Sequence, residues 1–453
     1  MNPDLSVVDR TFFASRRNIL VLGYGISGKS LYTFLKSEGH NVLVHDDNIP
    51  DIPDKADLDN LNQFDIIVKS PSIPFMSHNG HPIVRRAVLS NIPVISTFDA
   101  FVLHNPDARI IGITGTNGKS TTTALTYHIM KDAGIDVQMG GNIGIPYFTL
   151  PKSYIYLFEL SSYELASSKH LKLEVGCLLN IEPDHLSFHG NFENYRNAKR
   201  RILDASQTKI ISFEDKWSIG NYGGTDNVLT VSSEYQTQAA VYVCEHSLMV
   251  GTKNLILDLS GLLNLMGQHN YQNIGFAYTI CRHFGIPNHI ISKGVKTFHP
   301  LPHRLNIVKK IGDILFINDS KATNPESAAR ALATFVGYKI YWLVGGRSKK
   351  TDAMSAIARY LGSVQKIFLF GEATDEFQQM FVGIKTTVDC QTLATALHAA
   401  YNEARKESGP SVVLLSPMCA SFDQFDDFEH RGNTFVEIVM KLEENAESGN
   451  HEN

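Results

Sequence analysis

Short β-branched runs alternate with stretches of helical period along most of the chain, the pattern of repeated βα units and parallel sheets. Near the N-terminus NILVLG, NVLVHD, DIIVKS and IPVIST read as strands. KSLYTFLKSEG reads as the helix after the first of them, closed by Gly39. A junction near LHNPDA opens a second series, RIIGIT, YIYLFEL, VGCLLN and KIISF. Between about 225 and 260 the pattern turns hairpin-like, with AAVYVCEHSLMVG and NLILDLSG, and predicts an antiparallel appendage. Pro300 and Pro302 mark a second junction, followed by DILFIND, KIYWLVGG, KIFLFGEA and SVVLLSP. The polar, acidic tail from about Leu442 has no apolar period and is expected to fray. The economical division is three α/β domains, 1–107, 108–300 and 301–453.

Composition narrows the class. The chain has 453 residues, 43% hydrophobic and 19% charged, enough apolar material for several cores. Its 41 basic and 46 acidic residues give a net charge of −5, so no broad basic surface for nucleic acid is expected. The five cysteines are scattered without a C-x-x-C pair, which argues for a reducing compartment and against a zinc or disulfide framework. The N-terminal segment carries Asp4 and Asp9 and lacks an apolar core, so a signal peptide is not expected. No run approaches the ~20 apolar residues that cross a bilayer. A cytoplasmic globular protein with no membrane partner is the expectation.

Two glycine-rich loops carry the candidate chemistry. The first, Gly23-Tyr-Gly-Ile-Ser-Gly28, has the G-x-G-x-x-G spacing between strand and helix. Asp46 ends the next strand about where a ribose-binding acid would stand. On these residues alone a nicotinamide cofactor, another nucleotide or diphosphate, and a plain turn all remain open. The second, Gly115-Thr-Asn-Gly-Lys-Ser120, also lies between strand and helix. Its backbone N–H groups and helix dipole suit phosphate, Lys119 supplies a point charge, and Ser120 can ligate magnesium. A strict phosphate-loop pattern would need glycine where Ile113 stands, with Gly112 one residue early. ATP or GTP is the favoured ligand.

Carboxylates follow where such a loop needs them. YIYLFELSS ends an apolar strand on Glu159, with Ser161 and Ser162 beyond it. Buried strands rarely end on an ionised group without a partner or cation. VGCLLN runs into IEPDHLSFHG, which places Asp184 and His185 at the same carboxyl edge. His185 and His189 are four apart, but no H-E-x-x-H accompanies them, so a single histidine beside a hard-cation site is preferred to zinc.

With these residues in view the chain resembles the Mur ligase family, ATP-dependent amide-bond enzymes of bacterial cell-wall synthesis. The resemblance rests on TGTNGKST, GGNIG, FELSSYEL, NIEPDHL, YRNAKRRI, GQHNYQNIGFA, LPHRL and NDSKATNPESA, in the family's order across all three domains. VGGRSKKTD and SPMCASFDQFDDFEHRG resemble the branch that adds D-glutamate to UDP-N-acetylmuramoyl-L-alanine. Asp-Asn-Pro-Arg, typical of the diamino-acid branch, is absent.

The resemblance implies an α/β fold with Rossmann-like first and third domains and a central ATPase-type parallel sheet. It implies that Gly115, Thr116, Asn117, Gly118, Lys119, Ser120 and Thr121 cradle ATP, with Asn273, Arg304 and Asp319 meeting the nucleotide between the second and third domains. Ser120 and Glu159 would hold one magnesium ion, and His185 and Lys199 a second. Lys199 would be carbamylated; without the resemblance it reads as an ordinary helix-surface lysine. Lys119, Glu159, His185 and Lys199 form the catalytic set. The UDP part of the substrate would occupy the first domain, lined by Ile26, Ser27, Asp46, Asp47 and Ser70, with Asn142 and Ser161 added from the second. D-glutamate would meet Lys321, Thr323, Lys349, Ser421 and Phe428. A monomer is expected, whose third domain closes on nucleotide.

Three departures from the family pattern are visible: Glu164 where glutamine is common, Ser187-Phe188 after the leucine of DHL, and the Asp47-Asn48 pair. Glu164 is expected to add negative charge beside an anionic substrate. Besides another Mur ligase, the competing readings are a folylpolyglutamate synthase-like ligase and an NAD-dependent dehydrogenase. The first lacks a dedicated UDP-binding domain of the kind VLGYGISGKS provides. The second would need a hydride-transfer site that nothing else in the chain supplies.

Overall fold

The computed structural model describes residues 8–9, 11–74, 80–235, 238–251, 254–260, 262, 265, 267–300, 302–348 and 353–442. Most of the apolar runs named above become strands, because parallel strands covered on both faces require near-continuous hydrophobicity. The first sheet holds β1 (Asn18–Leu22), β2 (Asn41–His45), β3 (Ile66–Lys69) and β4 (Val94–Ser96), all parallel, in the order β2-β1-β3-β4. Along β1, Ile19 and Val21 pack with Leu31 and Leu35 of helix α1 (Ile26–Ser37). Leu20 and Leu22 face the other way, toward Ile83, Val84 and Ala87 of α2 (Pro82–Leu89). Helix α3 (Thr97–His104) follows β4 directly.

The second sheet contains β5 (Arg109–Thr114), β6 (Val137–Gly141), β7 (Ile155–Glu159), β8 (Leu173–Leu178), β9 (Ser206–Ser212), β10 (Val228–Ser232), β11 (Val241–Cys244), β12 (Ser247–Val250) and β13 (Asn254–Asp258). Their order is β13-β12-β11-β10-β9-β8-β5-β7-β6. Only β11-β12 and β12-β13 pair antiparallel, which is the expected appendage. Strand β6, VQMGG, is too glycine-rich to stand out in the sequence; pairing with β7 defines it.

The third sheet holds β14 (Asn306–Ile311), β15 (Ile314–Asn318), β16 (Lys339–Gly345), β17 (Val364–Phe370), β18 (Thr387–Asp389) and β19 (Ser411–Met418). Its order is β14-β15-β19-β16-β17-β18, parallel except for the β14-β15 hairpin. Trp342 and Val344 of β16 enter one core, Tyr341 and Leu343 the other. Leu442, where the tail was expected to begin, is buried against this second core.

Contacts group the chain into two compact units. The first takes in residues through Leu259 together with Gln272–Thr297 and contains the first two sheets; the second comprises Ser260–Tyr271 and the chain from Phe298.

Candidate active site

Strand β5 ends at Thr114 and helix α4 (Lys119–Asp132) begins five residues later, so the loop between them carries the phosphate-binding pattern. Gly112 belongs to the strand: a Cβ there would come within 3.0–3.1 Å of Leu173, Ile202 and Leu160. Glycine at 112 is therefore a packing requirement, and Ile113 beside it is a fully buried strand residue. Gly118 is the N-cap of α4 at φ +81, where a Cβ would fall 2.4 Å from Asn273 Oδ1. Glycine at the N-cap supplies no side-chain cap, and the start of such a helix suits an anion.

The loop is braced from β8. Asn117 N–H donates to Asn180 Oδ1 at 2.9 Å, Asn180 Nδ2 donates back to Asn117 O at 3.2 Å, and Thr116 N–H donates to Asn180 O at 3.0 Å. Thr116 Oγ1 also lies 3.0 Å from Tyr195 Oη. Lys119 Nζ folds onto the loop, donating to the carbonyls of Gly115 at 2.8 Å and Thr116 at 2.9 Å. Ser120 is buried and Thr121 half-buried in the first turn of α4. Asn273 accepts from Thr122 Oγ1 at 3.1 Å. Asn180 and Tyr195 were not singled out from sequence, since an asparagine after a strand and a tyrosine on a helix carry no local signal.

Glu159, the last residue of β7, is 2% exposed and accepts from Asn142 Nδ2 at 2.9 Å. Lys199 lies on α7 (Phe192–Asp204) and is also 2% exposed, which overturns the surface-lysine reading. Its Nζ donates to Gly115 O at 2.7 Å and Thr114 Oγ1 at 3.1 Å, beneath the phosphate loop. Burial holds its amine well below the ordinary lysine range; neighbouring Lys119 lowers it further, while Asp184 and Glu159 act in the opposite sense. The buried stripe of α7 runs Tyr195, Ala198, Lys199, Ile202, Leu203, so the sequence signal was a lysine on the apolar face of an amphipathic helix.

His185 is exposed at φ +52, with Nδ1 3.1 Å from Tyr163 Oη and Nε2 3.4 Å from Asp184 Oδ2. It precedes the short helix Leu186–His189. His189 is buried with Nε2 3.0 Å from Ser162 Oγ, and burial lowers its pKa to about 4. That ring stacks against Tyr163. Phe188 packs edge-on against Tyr163 at 4.2 Å.

The first glycine loop opens into a cavity of about 600 Å³ lined by residues from the first two sheets. Ile26, Ser27, Asp46, Asp47, Ser70, Asn142 and Ser161 all line it, so the residues assigned to the UDP part meet in one space. Helix α1 begins there at Gly25 with no side-chain cap. Gly28 permits the close approach of helix and strand: a Cβ would sit 1.9 Å from Gly23 O.

Asp46, at the edge of the cavity, accepts from the N–H groups of Tyr24, Asn48 and Ile49 at 2.7, 2.8 and 3.0 Å, which fix the orientation of its carboxylate. Asp47 stands at the cavity between two imidazoles, His45 Nε2 and His81 Nε2, each 2.8 Å away. His81 Nδ1 accepts from Ile83 N–H as the cap of α2, so its proton lies on Nε2, toward Asp47.

Helix α5 (Ser162–Ser167) starts in a capping box: Glu164 N–H donates to Ser161 Oγ, and Glu164 Oε2 accepts from Ser161 N–H at 2.8 Å. Its other oxygen accepts from Tyr147 Oη. Glu164 thus lines the cavity while buried and hydrogen-bonded at both oxygens, and burial raises its pKa.

In the second unit, the segments after β15 and β19 hold most of the remaining residues. Asp319 is buried, accepting from Ser416 Oγ at 2.9 Å and from Leu305 N–H at 3.2 Å, and burial pushes its pKa up to about 7. Arg304 acts on it as a nearby positive charge. Lys321 Nζ lies 4.8 Å from the centre of the Phe428 ring, Thr323 follows two residues on with its N–H on Lys321 O, and Ser421 is buried. Lys349 lies outside the described residues.

Arg431, fully buried, was missed from sequence. It donates to Ser320 Oγ and O at 3.0 and 2.8 Å and to Cys419 O at 3.1 Å, joining the loops after β15 and β19. Its signal was weak, an arginine in the polar-looking stretch FEHRG.

Comparison with known proteins bears on these arrangements. Residues 113–281 match the family model described as Mur ligase middle domain, and residues 303–419 the model described as Mur ligase, glutamate ligase domain. A UDP-N-acetylmuramoylalanine–D-glutamate ligase of Rhizobium meliloti (strain 1021) is 37% identical over 94% of this chain and 97% of its own length. The protein of that name from Paramagnetospirillum magneticum is 35% identical over the same shares. Among solved structures, a UDP-N-acetylmuramate-alanine ligase MurC from Thermotoga maritima is similar in fold with TM-score 0.60, at 17% identity, covering 94% of this chain and 100% of that one. MurF ligase from Thermotoga maritima, solved in complex with ADP, gives TM-score 0.59 at 16% identity, covering 96% and 99%. No helix among the described residues is long and apolar enough to cross a membrane.

Proposed function

The chain belongs to the Mur ligase family, and from that premise we propose that it joins D-glutamate to UDP-N-acetylmuramoyl-L-alanine at the expense of ATP. We assign the reaction to a monomeric enzyme of the cytoplasm whose working domains are 1–107, 108–300 and 301–453. The observation that carries the reading is the convergence of Lys119, Glu159 and Lys199 on one phosphate loop, in a chain whose relatives over 94% of its length are named D-glutamate ligases.

A carboxylate resists attack by an amine until its resonance is broken. In the proposed route the alanyl carboxylate takes the γ-phosphoryl of ATP, giving an acyl phosphate and ADP. The amine of D-glutamate attacks the carbonyl carbon, and the tetrahedral intermediate expels phosphate as the amide forms. The amine gives up its proton to a base as the amide forms. Because two anions must meet, positioning and charge neutralisation carry most of the barrier reduction. The N–H groups of the loop and Lys119 would hold the phosphates in line. Asn273, Arg304 and Asp319 are the further nucleotide contacts we propose. Lys321, Thr323, Lys349, Ser421 and Phe428 are those for D-glutamate.

The donor set suits magnesium. Glu159 and Ser120 offer hard oxygen atoms beside the loop, and His185 stands on the neighbouring one. Lys199, held toward its neutral form, has the nucleophilic amine that would add to carbon dioxide with release of a proton, giving a carbamate whose oxygens could ligate magnesium. When bound, the two metal ions would neutralise the phosphoryl oxygens.

The test is phosphate release with ATP and UDP-N-acetylmuramoyl-L-alanine, comparing D-glutamate, L-glutamate, L-alanine and diaminopimelate. Release with D-glutamate alone is expected. Release only with L-glutamate, or with none of the four, would overturn the assignment.

A further inference from the structure

We propose that Lys69 is a positioning residue for the nucleotide-sugar substrate, its buried amino group tying the cavity loop Ser70–Ile73 to helix α5 so that two walls of the cavity keep a fixed spacing. The inference rests on the reading of that cavity as the UDP-substrate site. Lys69 ends β3 and is fully buried. Its Nζ donates to Ile73 O at 2.7 Å and to Ser167 Oγ at 2.8 Å, with Ser70 O at the long distance of 3.5 Å. Ser70, Pro71, Ser72 and Ile73 line the cavity on one side; Ser161, Tyr163 and Glu164 line it from the N-terminal end of α5. One amine therefore holds the loop of the first sheet and the last residue of a helix from the second.

The hydrogen-bond acceptors are all neutral. A buried ammonium in such company stabilises a fold less than an apolar side chain of similar size, so stability alone does not account for it. Burial pushes the amine down to about 7, with Asp99 acting against the fall and Lys169 adding to it.

Helix α5 needs outside support. At six residues it is too short to hold itself in place. Beyond its C-terminal end, Ser168 Oγ meets Ser96 Oγ at 3.2 Å, and Asp99 Oδ1 accepts from the N–H groups of Lys169 and His170 at 2.7 Å each. Ser96 and Asp99 are the capping pair of α3, so the first sheet pins this segment at several points. Lys69 alone among these groups also grips the cavity loop.

The experiment uses the full chain with Lys69→Met, Ser167→Ala and the double variant, read by phosphate release and by calorimetric titration with UDP. Each single variant is expected to raise KM for UDP-N-acetylmuramoyl-L-alanine, and to weaken UDP, by about five- to tenfold. The kcat and the KM values for ATP and D-glutamate should stay within about twofold, and the double variant should be no worse than the worse single one. Ser167→Ala reads the tether even if Lys69→Met does not fold. Unchanged UDP affinity in Ser167→Ala, or a common loss of kcat with every KM, would overturn the inference. Wild-type protein that binds UDP without turning over the sugar nucleotide would sink the proposed reaction and leave the tether to the calorimetry. Wild-type protein that binds no UDP would overturn both.

Discussion

The two glycine loops do the same thing with their backbones and differ in everything around them. Each begins a helix, α1 or α4, with glycine at the N-cap and no side-chain cap, so each presents N–H groups to an anion. Around the second loop, Lys119 and the buried Lys199 lie beside Glu159 and Asp184, charges close enough to shift one another. Around the first, the cavity lining contains no lysine or arginine among the described residues, and Asp46 occupies the Tyr24 N–H. A glycine loop reports that an anion can be held. The charges gathered beside it decide whether the anion is merely held or made to react.

The sharpest way to break that comparison is to remove a charge at the second loop. Lys199→Met is expected to lower kcat by about a thousandfold while leaving UDP affinity unchanged, as measured by phosphate release and calorimetry. An equal loss of UDP affinity would mean that the two loops are not separable. Next in size comes backbone crowding at the first loop. Gly28→Ala puts a Cβ 1.9 Å from Gly23 O, where neither strand nor helix can give, and should cost about 3 kcal/mol in a denaturant titration. Gly25→Ala has nothing within 4 Å of the new carbon and should unfold within about 0.5 kcal/mol of wild type.

The smallest effect concerns Asp47. Its hydrogen bonds to His45 and His81 hold the carboxyl below its usual pKa. The native state then binds fewer protons than the unfolded one between the two pKa values, so stability falls as pH drops through that window. With its side chain 57% exposed, Asp47 is worth under about 1 kcal/mol. Asp47→Asn should melt slightly lower at neutral pH, and the gap should close once the pH falls below the depressed carboxyl pKa of the folded state. A gap that persists in acid would assign the effect to shape.

Much of this was legible along the chain because it is local. Strand, loop and helix at 109–132 follow from consecutive residues: β-branched runs, glycines at tight backbone positions, then helix formers. Glu159 was visible as an acid at the end of an apolar strand, and the appendage as a change of rhythm after 225. Strand β6 was not legible, since pairing with β7 defines it and its glycines answer to distant groups, Gly141 to Glu159 and Gly140 to Ile145 and Leu150.

The sequence by itself determined the class of fold, the presence of two glycine loops that each open a helix and the family words that name a chemistry, because each is written in neighbouring residues. Tertiary structure alone decided that Lys199 is buried under the phosphate loop, that Lys69 spans two sheets, that Asn180 braces the loop, and that Arg431 staples the ends of β15 and β19. The physical reason is common to all four. The environment of a long polar side chain is set by groups far away in sequence, and whether its charge is solvated, neutralised or tied down follows only when the chain has closed around it.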